Sequence, residues 1–197
     1  MSDAARLQIR EPALEFNSSD AQFITSAFDS TLAHLESIGS GAQWGSKPFS
    51  SKEGFCDRIR EWTDKSTQDG KPVRLFIAEL KQADPPPSLG NLHHRVDGDG
   101  NTIFLLGAAL VADAWAPEYI LKACEEEAGL DGLRKTLEAK DYSYLEVLIT
   151  DFRGGVGGPR KGAGAALLER VREYVVQAGR RTLLADCWAG NERGLVR

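Results

Sequence analysis

A glycine-rich turn at residues 151–165 carries the strongest chemical signal in the sequence. It has glycine at positions 162 and 164, directly preceded by Arg160 and Lys161. Glycine leaves backbone N–H groups open to a bound group, and the first turn of a helix leaves such groups unpaired at the positive end of its dipole. This arrangement favours the binding of an anion, typically a phosphate. The alternative is a flexible, solvent-exposed loop followed by a helix.

The turn joins a predicted strand to a predicted helix. Residues 144–149 form a short apolar, β-branched run that ends at a turn signal, which is typical of a strand. Beyond the turn, apolar residues recur at helical spacing, namely Leu167, Leu168, Val171, Tyr174, Val175 and Ala178. The order of strand, turn and helix predicts an α/β protein that holds its ligand where the helix begins.

Two common phosphate-binding motifs do not fit this turn. A P-loop requires Ser or Thr after its Gly-Lys pair, but Lys161 is followed by Gly162. The dinucleotide motif Gly-x-Gly-x-x-Gly requires a third glycine where Leu167 stands. The sequence therefore indicates another class of phosphate ligand.

Residues 162–169, Gly-Ala-Gly-Ala-Ala-Leu-Leu-Glu, resemble the acyl-CoA turn of the GNAT superfamily of N-acetyltransferases. Residues 183–191 resemble the next strand of that fold and the asparagine, Asn191, that opens the following helix. Two departures from the pattern are clear. Pro159 stands where the motif has Arg or Gln, and the turn is longer than usual. The resemblance is strong over residues 144–191 and weak before them.

The resemblance implies an α/β (α+β) fold, with a mixed central sheet and helices on both faces. It also implies acetyl-CoA as co-substrate, with its pantetheine arm along the edge of the strand at residues 144–149. The cofactor-binding residues that it implies are Leu148, Ile149, Arg160, Lys161, Gly162, Ala163, Gly164, Ala165 and Asn191. Because the sequence stops at Arg197, we expect the last helix and strands of the fold to be missing, together with the tyrosine that usually protonates the leaving thiolate.

Glu146 is the candidate catalytic base, because it interrupts an otherwise apolar central strand. An ammonium has no lone pair, so an amine acceptor must lose a proton before it attacks a thioester, and a carboxylate can accept that proton. Apolar surroundings raise the pKa of a carboxyl group toward the value this task needs. The alternative is that Glu146 faces solvent or pairs with an arginine.

Trp44 and Phe49 are the candidate substrate-binding residues. They belong to residues 41–49, whose composition predicts an irregular loop, and in GNAT-like proteins the region between the first two helices commonly overlies the acceptor site. The alternative is that both side chains fasten this loop to the hydrophobic core.

Length and composition limit the remaining choices. The 197 residues are 42% hydrophobic and contain no Pro/Ser-rich linker, so we expect one domain over 1–197, with a helical insertion at about 117–140. A net charge of −5 argues against nucleic acid as the main partner.

The three cysteines indicate neither a disulfide framework nor a metal site. No apolar run is long enough for a membrane span, and we expect a cytoplasmic protein that can form a homodimer through an unpaired sheet edge.

Three function classes remain open from the sequence. The first is an N-acetyltransferase that transfers an acetyl group from acetyl-CoA to a primary amine of a small molecule or peptide. The second is a non-catalytic acyl-CoA-binding module of the same fold. The third is another α/β protein that binds a phosphate-containing ligand. The sequence alone does not identify the acceptor.

Overall fold

The computed structural model of the protein describes residues 6–127, 129–153, 158–188 and 190. The strands in this part are β1 (Arg6–Arg10), β2 (Val73–Gln82), β3 (His94–Val96), β4 (Thr102–Asp113), β5 (Tyr142–Thr150) and β6 (Thr182–Leu184). The α-helices are α1 (Asn17–Ser37), α2 (Phe55–Ser66), α3 (Glu118–Glu126), α4 (Asp131–Ala139) and α5 (Ala163–Gln177). None of these helices is both long enough and apolar enough to cross a bilayer.

The strands form one mixed sheet in the order β1-β2-β4-β5-β6. Every pair in this row is antiparallel except β5 and β6, which are parallel. The short strand β3 pairs with residues 102–104 of β4, while β5 pairs with residues 107–113. The segment between β2 and β4 therefore contains a strand of its own, and His94 begins it.

Helices cover both faces of the sheet, as the resemblance implies. The central strands β2 and β4 are buried almost throughout, because each is apolar on both faces. Helices α1 and α2 pack on one face around Phe28, Ile59 and Ile77. Helix α5 packs on the other face through Leu167 and Val171. The sheet is thus the middle layer of three, and both of its faces are closed to water over the centre.

The predicted insertion at 117–140 forms the two short helices α3 and α4. Both lie beside the start of β5, where partly buried Ile120 and Leu137 pack against buried Tyr142 and Tyr144. The two helices therefore add a third, smaller core at the end of the sheet where β5 and β6 pair. This position matters for function because it places α3 next to the opening described below.

A buried ionic cluster joins β1, β2, β3 and α1. Glu79 is fully buried and accepts hydrogen bonds from Arg10 at 2.6 Å and Arg95 at 2.9 Å. Arg10 also donates to Asp20 at 2.7 Å. Helix α1 begins at Asn17, so Asp20 lies in its first turn, and the Asp20 carboxylate pairs with Arg10.

Candidate active site

The sheet opens between β5 and β6. These strands pair from Tyr142 with Thr182 to Tyr144 with Leu184, and no pairing continues beyond that point in the described chain. The resemblance over residues 183–191 implies a longer last strand, but β6 ends at Leu184. A cavity lined by residues 145–150 and 185–187 takes the place of further pairing, so the edge of β5 from residue 145 to residue 150 lies along a gap.

Glu146 occupies a bulge at this opening. Val147 pairs with Leu110 and Leu145 pairs with Val111, so Glu146 is an extra residue with no counterpart on β4. A bulge of this kind turns the side chain of the extra residue out of the regular alternation. Val147 then packs into the core under α1 and α2, while the carboxylate of Glu146 faces the opening.

Two cavities meet at the opening. The aromatic cavity has a volume of about 400 Å³, and the strand cavity has a volume of about 470 Å³. They share the lining residues Phe28, Gln43, Trp44, Glu146, Val147, Asp186 and Cys187. A molecule in one cavity can therefore reach a molecule in the other at the position of Glu146.

The strand cavity follows the edge of β5. Residues 145–150 line one side, and the other side comes from residues 185–187 and from α1, which supplies Thr31, His34, Leu35 and Ile38. Leu148 is exposed within it, and the side chain of Ile149 is buried against the α1 and α2 face. The two residues expected to meet the pantetheine arm thus lie along the cavity, and their binding role stays a prediction.

The strand cavity leads toward the glycine-rich turn through Phe152. The ring of His34 stacks on that of Phe152 at 4.3 Å, and the guanidinium carbon of Arg160 lies 3.7 Å from the centre of the Phe152 ring. His34 also lines the strand cavity. Its position on the cavity wall is a feature that helical periodicity alone does not reveal.

The turn ends in an exposed helix N-terminus. Gly162 precedes α5 with φ of +88°, a conformation that side chains disfavour, and Ala163 begins the helix. The N–H groups of Gly164 and Ala165 donate to no backbone acceptor within the part of the chain that the structure describes. Lys161 is exposed beside them, whereas the side chain of Ala163 is buried, so only its backbone faces this end. Asn191 and residues 154–157 lie outside the described residues.

Aromatic side chains form half the lining of the aromatic cavity. They come from the 41–55 region, α1, α2, α3 and the segment after β6, and they are Phe28, Trp44, Phe49, Phe55, Trp62, Tyr119 and Trp188. Phe49 is buried and packs on Phe28 at 4.9 Å, while half-buried Trp44 lies edge-on to Phe49 at 5.2 Å. Both residues thus fasten the loop to the core and also line the cavity. Their predicted contact with an acceptor stays a prediction.

Two carboxylates and one arginine face the aromatic cavity. Glu146 is half-buried, and burial raises its pKa to about 7; the positive charge of Arg58 lowers this pKa and the negative charge of Asp186 raises it further. Arg58 is exposed on α2, with its guanidinium carbon 5.5 Å from the centre of the Phe55 ring. A carboxyl group whose pKa is near 7 can accept and release a proton at neutral pH.

Two tyrosines hold Asp186 in place. The hydroxyl of Tyr119 donates to one carboxylate oxygen at 2.8 Å, and the hydroxyl of Tyr144 donates to the other. Burial raises the pKa of both phenols, and the hydrogen bonds to Asp186 raise these pKa values further. Each phenol therefore keeps its proton, and the Asp186 carboxylate stays turned toward the cavity.

Sequence reasoning did not find Asp186, Tyr119, Tyr144 or Arg58 as site residues. One usable signal was present: Asp186 interrupts the apolar run 183–188 just as Glu146 interrupts 144–149. No three metal-ligating side chains come together in the described ranges. The ring of His93 lies against that of Phe23 at 5.9 Å, and the Asp97 carboxylate accepts hydrogen bonds from the backbone of the turn at residues 97–101.

Comparison with known proteins identifies the fold. No protein family and no curated protein matches the sequence. One similar structure is a putative GNAT-family acetyltransferase from Desulfovibrio desulfuricans, with 15% identity, a TM-score of 0.51, and coverage of 98% of this chain and 80% of that chain. Another is the aminoglycoside N-acetyltransferase AAC(6')-Iy in complex with CoA, with 12% identity, a TM-score of 0.50, and coverage of 100% of this chain and 86% of that chain. The chain therefore has the mixed α/β fold of GNAT acetyltransferases.

Proposed function

We propose that this protein transfers the acetyl group of acetyl-CoA to a primary amine at the opening between β5 and β6. The observation that carries the proposal is the position of Glu146, a carboxyl group with a pKa of about 7 in a bulge where two cavities meet. The GNAT fold of the chain supports the same reaction. One cavity can hold the thioester, the other can hold the amine, and the base lies between them.

In this proposal acetyl-CoA is the co-substrate, and it lies along the strand cavity. Its pyrophosphate is placed at the N-terminus of α5, where the N–H groups of Gly164 and Ala165 are open and Arg160 and Lys161 supply positive charge. Its pantetheine arm runs along the open edge of β5 past Ile149 and Leu148. This placement puts the thioester at the end of the arm, next to Glu146.

The reaction requires one proton acceptor, the formation of an N–C bond and the breaking of a C–S bond. The acceptor enters as an ammonium ion and gives a proton to the Glu146 carboxylate, directly or through a water molecule. The free amine nitrogen attacks the thioester carbonyl carbon, an N–C bond forms, and the C–S bond breaks. The CoA thiolate leaves and takes up the second proton that the attacking nitrogen loses as the amide forms, directly or through water, so that the products are the acetylated amide and the CoA thiol.

The acceptor is placed in the aromatic cavity, against Trp44 and Phe49. The proposal names a small-molecule or peptide amine rather than a nucleic acid, because the chain has a net charge of −5. The proposal places the protein in the cytoplasm, because Cys56, Cys124 and Cys187 are all free thiols, as is usual in a reducing compartment. Homodimer formation also stays part of the proposal.

A thiol-release assay tests this function. The protein is incubated with acetyl-CoA and a panel of amines, and free CoA is measured with a thiol reagent. Release that depends on the amine supports the acetyltransferase. Binding of CoA without release for any amine supports the non-catalytic acyl-CoA-binding module, and displacement of CoA by nucleotide phosphates supports a different phosphate ligand.

A further inference from the structure

The wall of the aromatic cavity combines aromatic rings with a few charged and polar side chains. Half its lining side chains are aromatic rings, and Phe49 and Phe55 are buried at its base. Such a wall stabilises an apolar or aromatic body by burial and by ring contacts.

The volume of the aromatic cavity also favours a compact acceptor. A volume of about 400 Å³ is near the lower end of the roughly 300–1,000 Å³ usual for small-molecule sites. This space suits a compact acceptor with a single ring better than an oligosaccharide. Its volume and its aromatic rings together favour a small amine with an aromatic body.

Arg58 supplies the second polar contact. It forms no ion pair with a carboxylate in the described part of the chain, and its guanidinium lies over the edge of the aromatic cavity beside Phe55. A guanidinium matches a carboxylate with two parallel hydrogen bonds. Its charge also reaches Glu146, so a ligand between the two can present an amine to one and a carboxylate to the other.

We infer that the acceptor is an aromatic α-amino acid, with its ring on the aromatic wall, its amine at Glu146 and its carboxylate at Arg58. This inference rests on the proposed function and adds the chemical class of the acceptor. Two carboxylates without an arginine would favour a simple amine or a polyamine. The presence of Arg58 in the same cavity favours a zwitterion.

Four acceptors test the inference in the thiol-release assay. Phenylalanine has ring, amine and carboxylate; phenethylamine lacks the carboxylate; alanine lacks the ring; kanamycin is a hydroxylated polyamine. The expected kcat/KM for phenylalanine exceeds each of the others by about tenfold or more, which corresponds to about 1.4 kcal/mol. A higher kcat/KM for kanamycin or for phenethylamine overturns the inference.

A charge-removing variant tests the role of Arg58. Arg58→Gln is expected to reduce the ratio of kcat/KM for phenylalanine over phenethylamine by about tenfold. Arg60→Gln is the matched control, because Arg60 lies on the same helix, pairs with Asp57 at the surface and is absent from the aromatic cavity. It should leave the ratio unchanged. An unchanged ratio in Arg58→Gln overturns the inference.

Different results disprove the acceptor class and the acetyltransferase function. If the protein acetylates another amine and none of the aromatic amino acids, the acceptor class is wrong and the acetyltransferase function stands. If the protein binds no acetyl-CoA and releases no thiol with any amine, the proposed function fails and the acceptor class fails with it.

Discussion

Glu146 and Asp186 line the same two cavities from opposite sides of the opening in the sheet. Burial is the main reason that the pKa of Glu146 is raised to about 7, and the negative charge of Asp186 adds to the shift. Asp186 is itself held by hydrogen bonds from Tyr119 and Tyr144. The Asp186 carboxylate is thereby held in one orientation, and the Glu146 carboxyl group can exchange a proton near neutral pH.

The first prediction concerns the base. Glu146→Gln keeps the size of the side chain and removes its ability to accept a proton, so turnover should fall by about 10²-fold or more. Affinity for CoA, measured by calorimetry, should stay nearly constant, because the strand cavity and the α5 N-terminus are unchanged. Glu61→Gln, on the surface of α2, is the matched control. A variant that keeps wild-type turnover would remove Glu146 from the mechanism.

The second prediction is the pH dependence of the reaction. Glu146 must be ionised to accept a proton, so kcat/KM should rise as pH increases through about 7, the pKa of that group. Rates at pH values between about 5.5 and 8.5 are the measurement, with a correction for ionisation of the amine. The rise near 7 should be absent in Glu146→Gln, and its persistence there would assign it to another group.

The third prediction is that the raised pKa of Glu146 makes the free energy of unfolding depend on pH. The folded pKa of Glu146 is raised above its value of 4.5 in the absence of the fold. Its contribution to stability is therefore complete below about pH 4.5 and is lost as pH rises through about 7. Because glutamine does not ionise, Glu146→Gln should gain about 1–2 kcal/mol relative to wild type between pH 5 and pH 8, after allowance for partial exposure. Urea unfolding at both pH values measures this, and equal differences at both would contradict the raised pKa.

Much of the fold was accessible from residue types. The apolar run at 144–149, the glycine-rich turn and the helical spacing after it predict β5, the turn and α5 because each signal is local. The interruption of an apolar strand by Glu146 was also a local signal. The strand β3 was missed because three residues are too few to show alternation, and the bulge at Glu146 was missed because it depends on pairing with β4.

The chemistry around Glu146 could not be read from the sequence for a related reason. Tyr119 contacts Asp186 across 67 positions of sequence, and Arg58 acts on Glu146 from a different helix. No spacing rule connects such residues. They meet because the sheet opens after Leu184, and that opening is a property of strand pairing that a single sequence does not express.

The fourth prediction concerns the phosphate-binding turn. In Gly164→Val the added Cβ meets only Thr150 Cγ2, at 3.8 Å, so the fold should tolerate the change. The larger side chain should hinder a phosphate from reaching the first N–H groups of α5, and CoA affinity should fall by about tenfold or more. Gly162 is a poorer test, because its φ of +88° makes any side chain strained there. Gln177→Val, exposed at the other end of α5, is the control, and equal CoA affinity in both variants would refute this binding site.

The fifth prediction tests the buried ionic cluster as a structural element. Glu79→Ala leaves the guanidinium groups of Arg10 and Arg95 without their shared partner, and the free energy of unfolding should fall by about 3 kcal/mol. Glu61→Ala breaks an exposed pair on α2 and should cost less than about 1 kcal/mol. Chemical denaturation of both variants gives the comparison. Equal losses would show that the cluster adds nothing beyond a surface pair.

The fate of the acetyl group is the most direct test of the proposed acetyl transfer. Wild-type protein and Glu146→Gln are incubated with acetyl-CoA carrying an isotope label in the acetyl group, together with the amine panel, and the products are analysed by mass spectrometry. The proposed acetyl transfer predicts a labelled amide with wild type, and formation of this amide about 10²-fold more slowly in the variant. Wild-type protein that binds acetyl-CoA and leaves every amine unlabelled would contradict it.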